Sequence, residues 1–277
     1  MILVTGATGA LGTLVAERMA GRDDTVLGTR DPRRTNASLP TRRVDFEDPD
    51  TLTKGFEGVD VLLMISAGYG EDDTVIARHA AAIEAAEKAG VRHVVYTSLT
   101  ADGDHLPYAL PHRWTERRLR ESAMNWTILR NGLYAELLAW ITQPSPSGRI
   151  TAPLGEGRLA AVAREDLADA AVRVAVEASA HAGRVYELVG EQALGAAELA
   201  QAYGPHVTYA PETLAQTRTR LAASDAEPFQ VPMLIGTYSA IAAGFLDRTG
   251  GDLRLLLGRA PRSAQAAAGA AVRLETT

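Results

Sequence analysis

The first half of the chain alternates short apolar runs with longer segments in which apolar residues recur every three or four positions. The first run, residues 1–5, precedes a glycine-rich stretch, and Leu14, Val15 and Met19 then follow at helical spacing. Six strands are predicted in this way, at 1–5, 25–29, 43–46, 59–66, 91–97 and 126–130. Regular alternation of strands and helices predicts an α/β fold with a doubly wound parallel sheet.

Capping residues mark the ends of several predicted helices. Asp48-Pro49-Asp50 opens a helix that ends at Phe56, and Gly90 ends an alanine-rich helix that starts at Asp72. A further helix is expected over about 111–121. These helices connect the predicted strands, as crossovers between parallel strands require.

The second half of the chain is less regular after a Pro- and Ser-rich loop at 144–148. Its pattern predicts helices at 165–178, 196–202 and 211–222, with strands at 184–189 and 207–210. We therefore expect residues 1–132 to form the larger domain and residues 133–277 a small C-terminal α/β subdomain that binds substrate.

The segment 225–250 is unusually apolar and contains two prolines. Its large apolar residues are Phe229, Val231, Met233, Leu234, Ile235, Tyr238, Ile241 and Phe245. Two interpretations stay open: the segment is core of the small subdomain, or it is a lid over a nonpolar ligand, since such residues line most ligand pockets. On the second interpretation Phe229, Met233 and Tyr238 contact the substrate.

Glycine recurs at every third position between the first strand and the first helix. Gly6 allows a sharp turn, Gly9 allows backbone N–H groups to approach a pyrophosphate, and Gly12 allows close helix–strand packing. In this strand–turn–helix context the spacing predicts a dinucleotide-binding turn of a Rossmann-type fold. The residues expected to contact the cofactor here are Gly6, Thr8, Gly9, Ala10, Leu11 and Gly12.

Charged residues after the second strand bear on the choice of cofactor. An acidic side chain at this point would accept hydrogen bonds from the ribose of NAD, whereas guanidinium groups suit a 2′-phosphate. Arg30 ends the strand and Arg33 and Arg34 follow, but Asp31 stands among them. We expect Arg30 and Arg34 to select NADPH, with NADH remaining possible.

Other candidate cofactor contacts follow the later strands, at the sheet edge where doubly wound folds bind ligands. Asp45 and Phe46 are expected near adenine, and residues 66–68 near the ribose and nicotinamide. The complete set beyond the glycine-rich turn and the arginines is Asp45, Phe46, Ser66, Ala67, Gly68, Thr97 and Asn131.

Composition excludes several classes of function. The 277 residues include no cysteine, so disulfides, thiolate catalysis and cysteine-based metal sites are excluded, and we expect no metal. The net charge of −6 disfavours nucleic acid as a partner. Because the first strand begins at once and no apolar stretch is long enough to span a bilayer, we expect a cytoplasmic protein without membrane contact, as a monomer or homodimer.

Several motifs resemble the NmrA-like branch of the atypical short-chain dehydrogenases. They are the stretches 5–12 (TGATGALG), 89–91 (AGV), 96–99 (YTSL), 129–136 (LRNGLYAE), 185–188 (VYEL) and 256–259 (LLGR). The resemblance extends from residue 1 to about residue 262, and it is strongest to bacterial NAD(P)H:quinone oxidoreductases. The branch also includes regulators that bind a dinucleotide without turnover, so the resemblance alone implies binding rather than catalysis.

Typical short-chain dehydrogenases use a Tyr-x-x-x-Lys pair, which this chain lacks. Its two lysines, Lys54 and Lys88, do not lie four residues after a tyrosine. At the position of His112 the resemblance implies either lysine or histidine, and a histidine there could hold the ribose or relay a proton. Tyr108 is a weaker candidate proton donor.

Hydroxyl and aromatic side chains near two later strand ends complete the candidate site. One of Thr97, Ser98 and Thr100 is expected to hydrogen-bond a substrate oxygen, although hydroxyl groups at strand ends often only cap the next element. Tyr134, after the sixth strand, is expected to contact nicotinamide or substrate. The catalytic candidates are thus His112, Tyr108 and Ser98.

We expect an NADPH-dependent reductase that transfers hydride to a quinone or carbonyl of a planar, mostly apolar molecule. A quinone tolerates the absence of a strong acid because its product oxyanion is delocalised, whereas a simple ketone needs a proton donor. The alternative is a dinucleotide-sensing regulatory protein without turnover.

Overall fold

The computed structural model describes residues 1–35, 38–67 and 69–275. Its principal sheet has seven strands in the order β3-β2-β1-β4-β5-β6-β8. These strands are β1 (Ile2–Val4), β2 (Thr25–Thr29), β3 (Thr41–Arg43), β4 (Val61–Met64), β5 (His93–Leu99), β6 (Asn125–Asn131) and β8 (Arg184–Leu188). A second sheet pairs the short strands β7 (Arg149–Ile150) and β9 (Thr208–Tyr209) in parallel. The predicted doubly wound parallel sheet is confirmed.

The registers place the first strands side by side with their carboxyl ends at one edge. Ile2 lies opposite both Thr25 of β2 and Val61 of β4, and Val61 lies opposite His93 of β5, all in parallel pairs. Strand order reverses between β1 and β4, and ligands of doubly wound folds bind at such a switch point. The third strand ends earlier than predicted, at Arg43 instead of residue 46.

Eleven α-helices connect or follow the strands in the described residues. They are α1 (Ala10–Met19), α2 (Pro49–Gly55), α3 (Asp72–Ala89), α4 (Ala109–Arg120), α5 (Ala135–Ile141), α6 (Arg164–Val176), α7 (Ala196–Tyr203), α8 (Leu214–Ala222), α9 (Gln230–Ala242), α10 (Asp252–Leu257) and α11 (Ala264–Glu275). Helix α3 ends as predicted, because Gly90 takes the left-handed conformation at φ +73° that glycine tolerates best. No helix of the described residues is long and apolar enough to cross a membrane.

The chain folds into two compact units that are not contiguous in sequence. Unit 1 comprises Met1–Ser98, Leu110–Arg130 and Leu167–Tyr186, and unit 2 comprises Leu99–Ala109, Asn131–Asp166 and Glu187–Thr277. This division differs from the expected single boundary after residue 132. Most of α6 and the start of β8 were expected in the small subdomain but belong to unit 1, and β8 is the edge strand of the principal sheet, beside β6. The segment Leu99–Ala109 belongs instead to unit 2.

The core of unit 2 includes much of the apolar segment 225–250. Leu234, Tyr238 and Ile241 of α9 are almost fully buried in one cluster with residues of α5 and α7. Phe229 and Met233, near the start of α9, are only half-buried. The segment therefore has one face in the core, and its N-terminal end leaves apolar side chains partly accessible.

Candidate cofactor and active site

The glycine-rich turn of unit 1 has the backbone geometry that its spacing predicts. Gly6 has φ +63°, and its carbonyl accepts the N–H of Gly9 at 2.9 Å. A Cβ at Gly12 would lie 2.0 Å from the same carbonyl oxygen, so only glycine fits there. Thr8, Gly9 and Ala10 are exposed at the N-terminus of α1, where unpaired N–H groups and the helix dipole favour an anion.

Two side chains of this turn have contacts within the protein. The Leu11 side chain is buried, so only its backbone is available to a ligand. The Thr8 hydroxyl lies 3.1 Å from that of Thr29 at the end of β2, which ties the turn to the neighbouring strand. The residues present fit a dinucleotide diphosphate.

The acidic residue after β2 is already bound to an arginine. Arg33 donates to both carboxylate oxygens of Asp31, at 2.9 and 3.1 Å, and its backbone N–H donates to the same group. The hydrogen bond from Arg33 is the main reason that the pKa of Asp31 is lowered. Arg30 and Arg34 are exposed beside it. The Asp31 carboxylate, which would otherwise accept hydrogen bonds from a ribose, is therefore bound to Arg33. The guanidinium groups of Arg30 and Arg34 remain at the surface.

The next candidates lie in loops after β3 and β4. Asp45 and Phe46 are half-buried beyond the end of β3, and the N–H of Asp45 donates to Thr51 Oγ1 at 3.0 Å. The N–H of Ser66 donates to Thr97 Oγ1 at 3.0 Å. Gly68 lies outside the described residues. Thr97 thus supports the loop after β4 from the neighbouring strand.

A histidine that the sequence analysis did not select holds this same loop. The N–H of Ala67 donates to Nε2 of the fully buried His79 at 3.0 Å. Since Nε2 accepts, the neutral ring carries its proton on Nδ1, which lies 2.8 Å from Thr115 Oγ1. Burial, followed by the nearby His112 and Arg78, lowers the pKa of His79 to about 3. His79 is therefore neutral at physiological pH.

His112 lies beside a second buried ring. Its Nδ1 is 2.9 Å from the hydroxyl of Tyr96, a fully buried residue of β5. The pKa of His112 is lowered to about 4, mainly by burial and also by Arg113, against an opposing effect of Glu116. His112 is consequently an uncharged imidazole near neutral pH.

Ser98 donates its hydroxyl hydrogen to a buried carboxylate. Ser98 Oγ lies 2.7 Å from Oε1 of Glu116, which is only 1% exposed. Three arginines pair with Glu116: Arg113, Arg120 and Arg130. Burial raises the pKa of Glu116, but hydrogen bonds from Arg130 and Ser98 outweigh it and the pKa is lowered. The Ser98 hydroxyl is thus part of a buried ionic cluster of unit 1.

Tyr108 belongs to unit 2, whereas His112 belongs to unit 1. The Tyr108 hydroxyl lies 3.3 Å from Thr237 Oγ1 of α9. Burial raises the pKa of Tyr108 to about 12, against a smaller opposing effect of Thr237. The phenol is a weak acid in this environment.

The remaining candidates of unit 2 have separate partners. The Thr100 hydroxyl donates to Glu187 at 3.0 Å, and the Tyr238 hydroxyl donates to the carbonyl of Ile141 at 2.6 Å. The guanidinium carbon of Arg164 lies over the aromatic ring of Tyr134, 4.9 Å from the centroid of that ring. Asn131 is buried, and its Oδ1 has no hydrogen-bond partner among the described residues. Such an orphaned acceptor is compatible with a ligand that donates a hydrogen bond.

Comparison with known proteins gives a family match over more than half of the chain. Residues 6–178 match a family model described as NAD(P)H-binding. The chain is 38% identical over 222 residues to quinone oxidoreductase 2 of Escherichia coli, covering 76% of this chain and 77% of the relative. A crystal structure of that type from E. coli, complexed with NADPH, matches with a TM-score of 0.86 and 30% identity over the full length of both chains.

Two further matches cover most of this chain. An NmrA-like family domain-containing oxidoreductase of Aspergillus flavus is 30% identical over 210 residues, covering 71% of this chain and 68% of the relative. The crystal structure of Citrobacter sp. triphenylmethane reductase, complexed with NADP(H), has a TM-score of 0.89 and 28% identity, covering 98% of this chain and 100% of the other. The chain therefore belongs to the NAD(P)H-binding family, and the expected NmrA-like resemblance is confirmed.

Proposed function

We propose that this protein is an NADPH-dependent reductase of quinones or of aromatic carbonyl compounds that carry a phenol. Membership of an NAD(P)H-binding family supports the cofactor class. The names of its relatives support the reaction class: one is a quinone oxidoreductase, and another is a reductase named for triphenylmethane. Both compound classes have planar conjugated rings.

The chain's own residues support NADPH over NADH. The turn at Gly6–Ala10 offers backbone N–H groups to the diphosphate, and Arg30 and Arg34 offer donors to a 2′-phosphate. Asp31, which would favour NAD, is engaged by Arg33. Selection of NADPH over NADH therefore follows from the positive charges that are available at the end of β2.

The observation that carries the substrate assignment is the absence of a good acid at the candidate catalytic positions. A general acid works best when its pKa is near the working pH, whereas His112 is near 4 and Tyr108 near 12. When bound, the reduced nicotinamide supplies a hydride. His112 can then donate a hydrogen bond to the developing oxyanion but cannot deliver a proton as a cation. Quinones suit this chemistry because the charge of their product oxyanion is delocalised, and phenolic ketones suit it because their own phenol can donate the proton to the product alkoxide.

We further propose that half-buried apolar side chains of unit 2 contact the ring system of the substrate. Phe229 and Met233 lie at the N-terminal end of α9, and Tyr134 lies beyond β6 with its ring beneath Arg164. Thr100 and Tyr238, whose hydroxyl groups are bonded to Glu187 and to a backbone carbonyl, contribute shape more than hydrogen bonds.

The test is NADPH oxidation, followed by the loss of reduced-nicotinamide absorbance, with three matched substrate sets. These sets are quinones, aromatic ketones with a phenol, and the same ketones without it. We expect turnover with the first two sets and little with the third. Equal turnover of the simple ketones would contradict the argument from the missing acid. Tight NADPH binding without turnover of any set would favour the dinucleotide-sensing alternative.

A further inference from the structure

His112 has a buried phenol as its hydrogen-bond partner, and that phenol is not Tyr108. Tyr96 Oη lies 2.9 Å from His112 Nδ1, and the two ring centroids are 6.1 Å apart. Tyr96 is fully buried on β5 and has no role in the mechanism above. Its hydroxyl therefore requires an explanation, because a buried phenol hydrogen needs an acceptor.

The hydroxyl groups of Ser66 and Thr115 also hydrogen-bond to the Tyr96 phenol. His79 Nδ1–H donates to Thr115 Oγ1, and Thr115 in turn donates to the carbonyl of Pro111 at 2.7 Å. Burial raises the pKa of Tyr96, so the phenol keeps its proton. When the phenol donates its hydrogen to His112, 2.9 Å away, the Nδ1 lone pair of the neutral imidazole is the acceptor. In this arrangement the His112 proton is on Nε2.

We propose that Tyr96 is a positioning residue that fixes His112 as the Nε2–H tautomer. This inference rests on the proposed function, since it explains how His112 supplies a hydrogen bond to the substrate oxygen. An orienting partner of this kind matters because an imidazole in the wrong tautomer presents a lone pair to an oxyanion and repels it. Tyr96 thus acts through His112 and touches neither cofactor nor substrate.

The charged and titratable neighbours of His112 in unit 1 come from three elements. They are His79 of α3, Tyr96 of β5, and Arg113 and Glu116 of α4. The two neutral groups add no charge, and Arg113 and Glu116 oppose each other. His112 therefore remains uncharged through the neutral range, and its tautomer is set by the hydrogen bond to Tyr96.

The first test reads the tautomer directly and does not depend on turnover. In the wild-type protein, ¹⁵N chemical shifts of the histidine rings should assign the His112 proton to Nε2. In Tyr96→Phe, which keeps the ring and removes the hydroxyl, we expect a mixture of the two tautomers. A wild-type His112 protonated on Nδ1 would overturn the proposal, even if Tyr96→Phe failed to fold.

The second test asks whether Tyr96 acts through His112. Tyr96→Phe should lower kcat about tenfold or more while the KM for NADPH changes less than about twofold. In a His112→Ala background the same substitution should have no further effect on kcat, as expected for two residues that act as one unit. Additive losses would overturn the proposal, because Tyr96 would then act independently of His112.

The chain offers a matched control in a second tyrosine–histidine pair of unit 1. Tyr186 Oη lies 2.7 Å from His181 Nδ1, and neither residue is a site candidate. Tyr186→Phe removes the same kind of hydrogen bond and should leave kcat unchanged. An equal loss of kcat in Tyr186→Phe would overturn the proposal, because the loss of any tyrosine–histidine hydrogen bond in unit 1 would then produce the effect. A wild type without turnover but with the expected tautomer would refute the function and leave the tautomer assignment intact.

Discussion

The two units hold their candidate functional side chains in different ways. In unit 1, His79 and Tyr96 connect the loop after β4 and the helix bearing His112 through buried hydrogen bonds. In unit 2 each candidate is bonded separately, Thr100 to Glu187 and Tyr108 to Thr237. A connected buried network fixes geometry, whereas separate contacts allow each side chain to adjust. Fixed geometry in unit 1 would suit a cofactor that is always the same, and adjustable side chains in unit 2 would suit substrates that vary.

The largest effect is expected from Gly9→Val in unit 1. Gly9 has an extended backbone conformation that valine also adopts, and an added Cβ would lie 3.3 Å from the Gly6 carbonyl oxygen, a contact that a shift of a few tenths of an ångström relieves, so the variant should fold. Its branched side chain would occupy the place of the diphosphate and abolish NADPH binding. Calorimetric titration with NADPH measures the affinity, and a circular-dichroism melt checks that the variant is folded. Undiminished affinity would contradict the role assigned to the turn.

The next largest effect is expected at the candidate catalytic residues, His112 of unit 1 and Tyr108 of unit 2. His112→Ala should lower kcat about a hundredfold, the usual consequence of removing one donor to an oxyanion. Tyr108→Phe should lower it less, because that phenol is directed at Thr237. Steady-state kinetics on one quinone measures both variants. The reverse order would place the chemistry in unit 2 and break the comparison.

A smaller effect is expected at the end of β2. Arg34→Ala and Arg30→Ala should each weaken NADPH binding about tenfold or more through loss of a charge-assisted contact, with little change for NADH. Affinities for NADPH and NADH, measured for wild type and for each variant, give the loss for each cofactor. Equal losses for both would identify Asp31 as the determinant instead.

The buried histidines of unit 1 predict a loss of stability in acid. The ordinary histidine pKa of 6.5 applies to the unfolded chain, and that of folded His79 is about 3. Between these values the unfolded state binds the proton, so stability falls as the pH decreases through this window. For His79 alone the loss at pH 5 is about 2 kcal/mol. Urea unfolding at neutral pH and at pH 5 measures it.

A matched variant checks the source of that pH dependence. His79→Asn should reduce the difference between the two unfolding free energies, whereas His206→Asn, at an exposed position of unit 2, should leave it unchanged. An identical pH dependence in all three proteins would exclude His79 as its source.

The smallest effect is expected from Ser98→Ala. Loss of a hydrogen bond to a charged group costs about 1.5 kcal/mol, and the Glu116 carboxylate retains its arginines. We expect lower stability with kcat within about threefold of wild type. A hundredfold loss of kcat at unchanged stability would instead support the catalytic role predicted for Ser98.

The sequence predicted those parts of the molecule that depend on local spacing. The roles of Gly6, Gly12 and Gly90 follow from backbone geometry that neighbouring residues alone specify, and the structure contains all three. The doubly wound parallel sheet followed from the strand–helix alternation. Roles assigned to individual side chains stay predictions, because they depend on what each group meets in three dimensions.

The contacts that sequence reasoning missed are those between distant segments. His79 lies on the buried face of α3, spaced with Val75, Ala82 and Ile83, so it has the periodicity of a core residue. Its bond to the Ala67 amide depends on the adjacent loop, and spacing alone could not reveal it. Tyr96 was read only as part of a buried strand. A polar side chain at an otherwise apolar, inward-facing position is the signal that could have found both.

The late position of β8 in the chain has a consequence for folding during synthesis. The edge strand of the principal sheet follows β6 by more than fifty residues, and Gly132 reaches it through a backbone hydrogen bond to Leu188. A ribosome must therefore make unit 2 segments before the sheet can be completed. Until then the nascent chain presents the edge of β6 unpaired, a state in which strands associate with other chains. Truncation after residue 132 would make that transient state permanent.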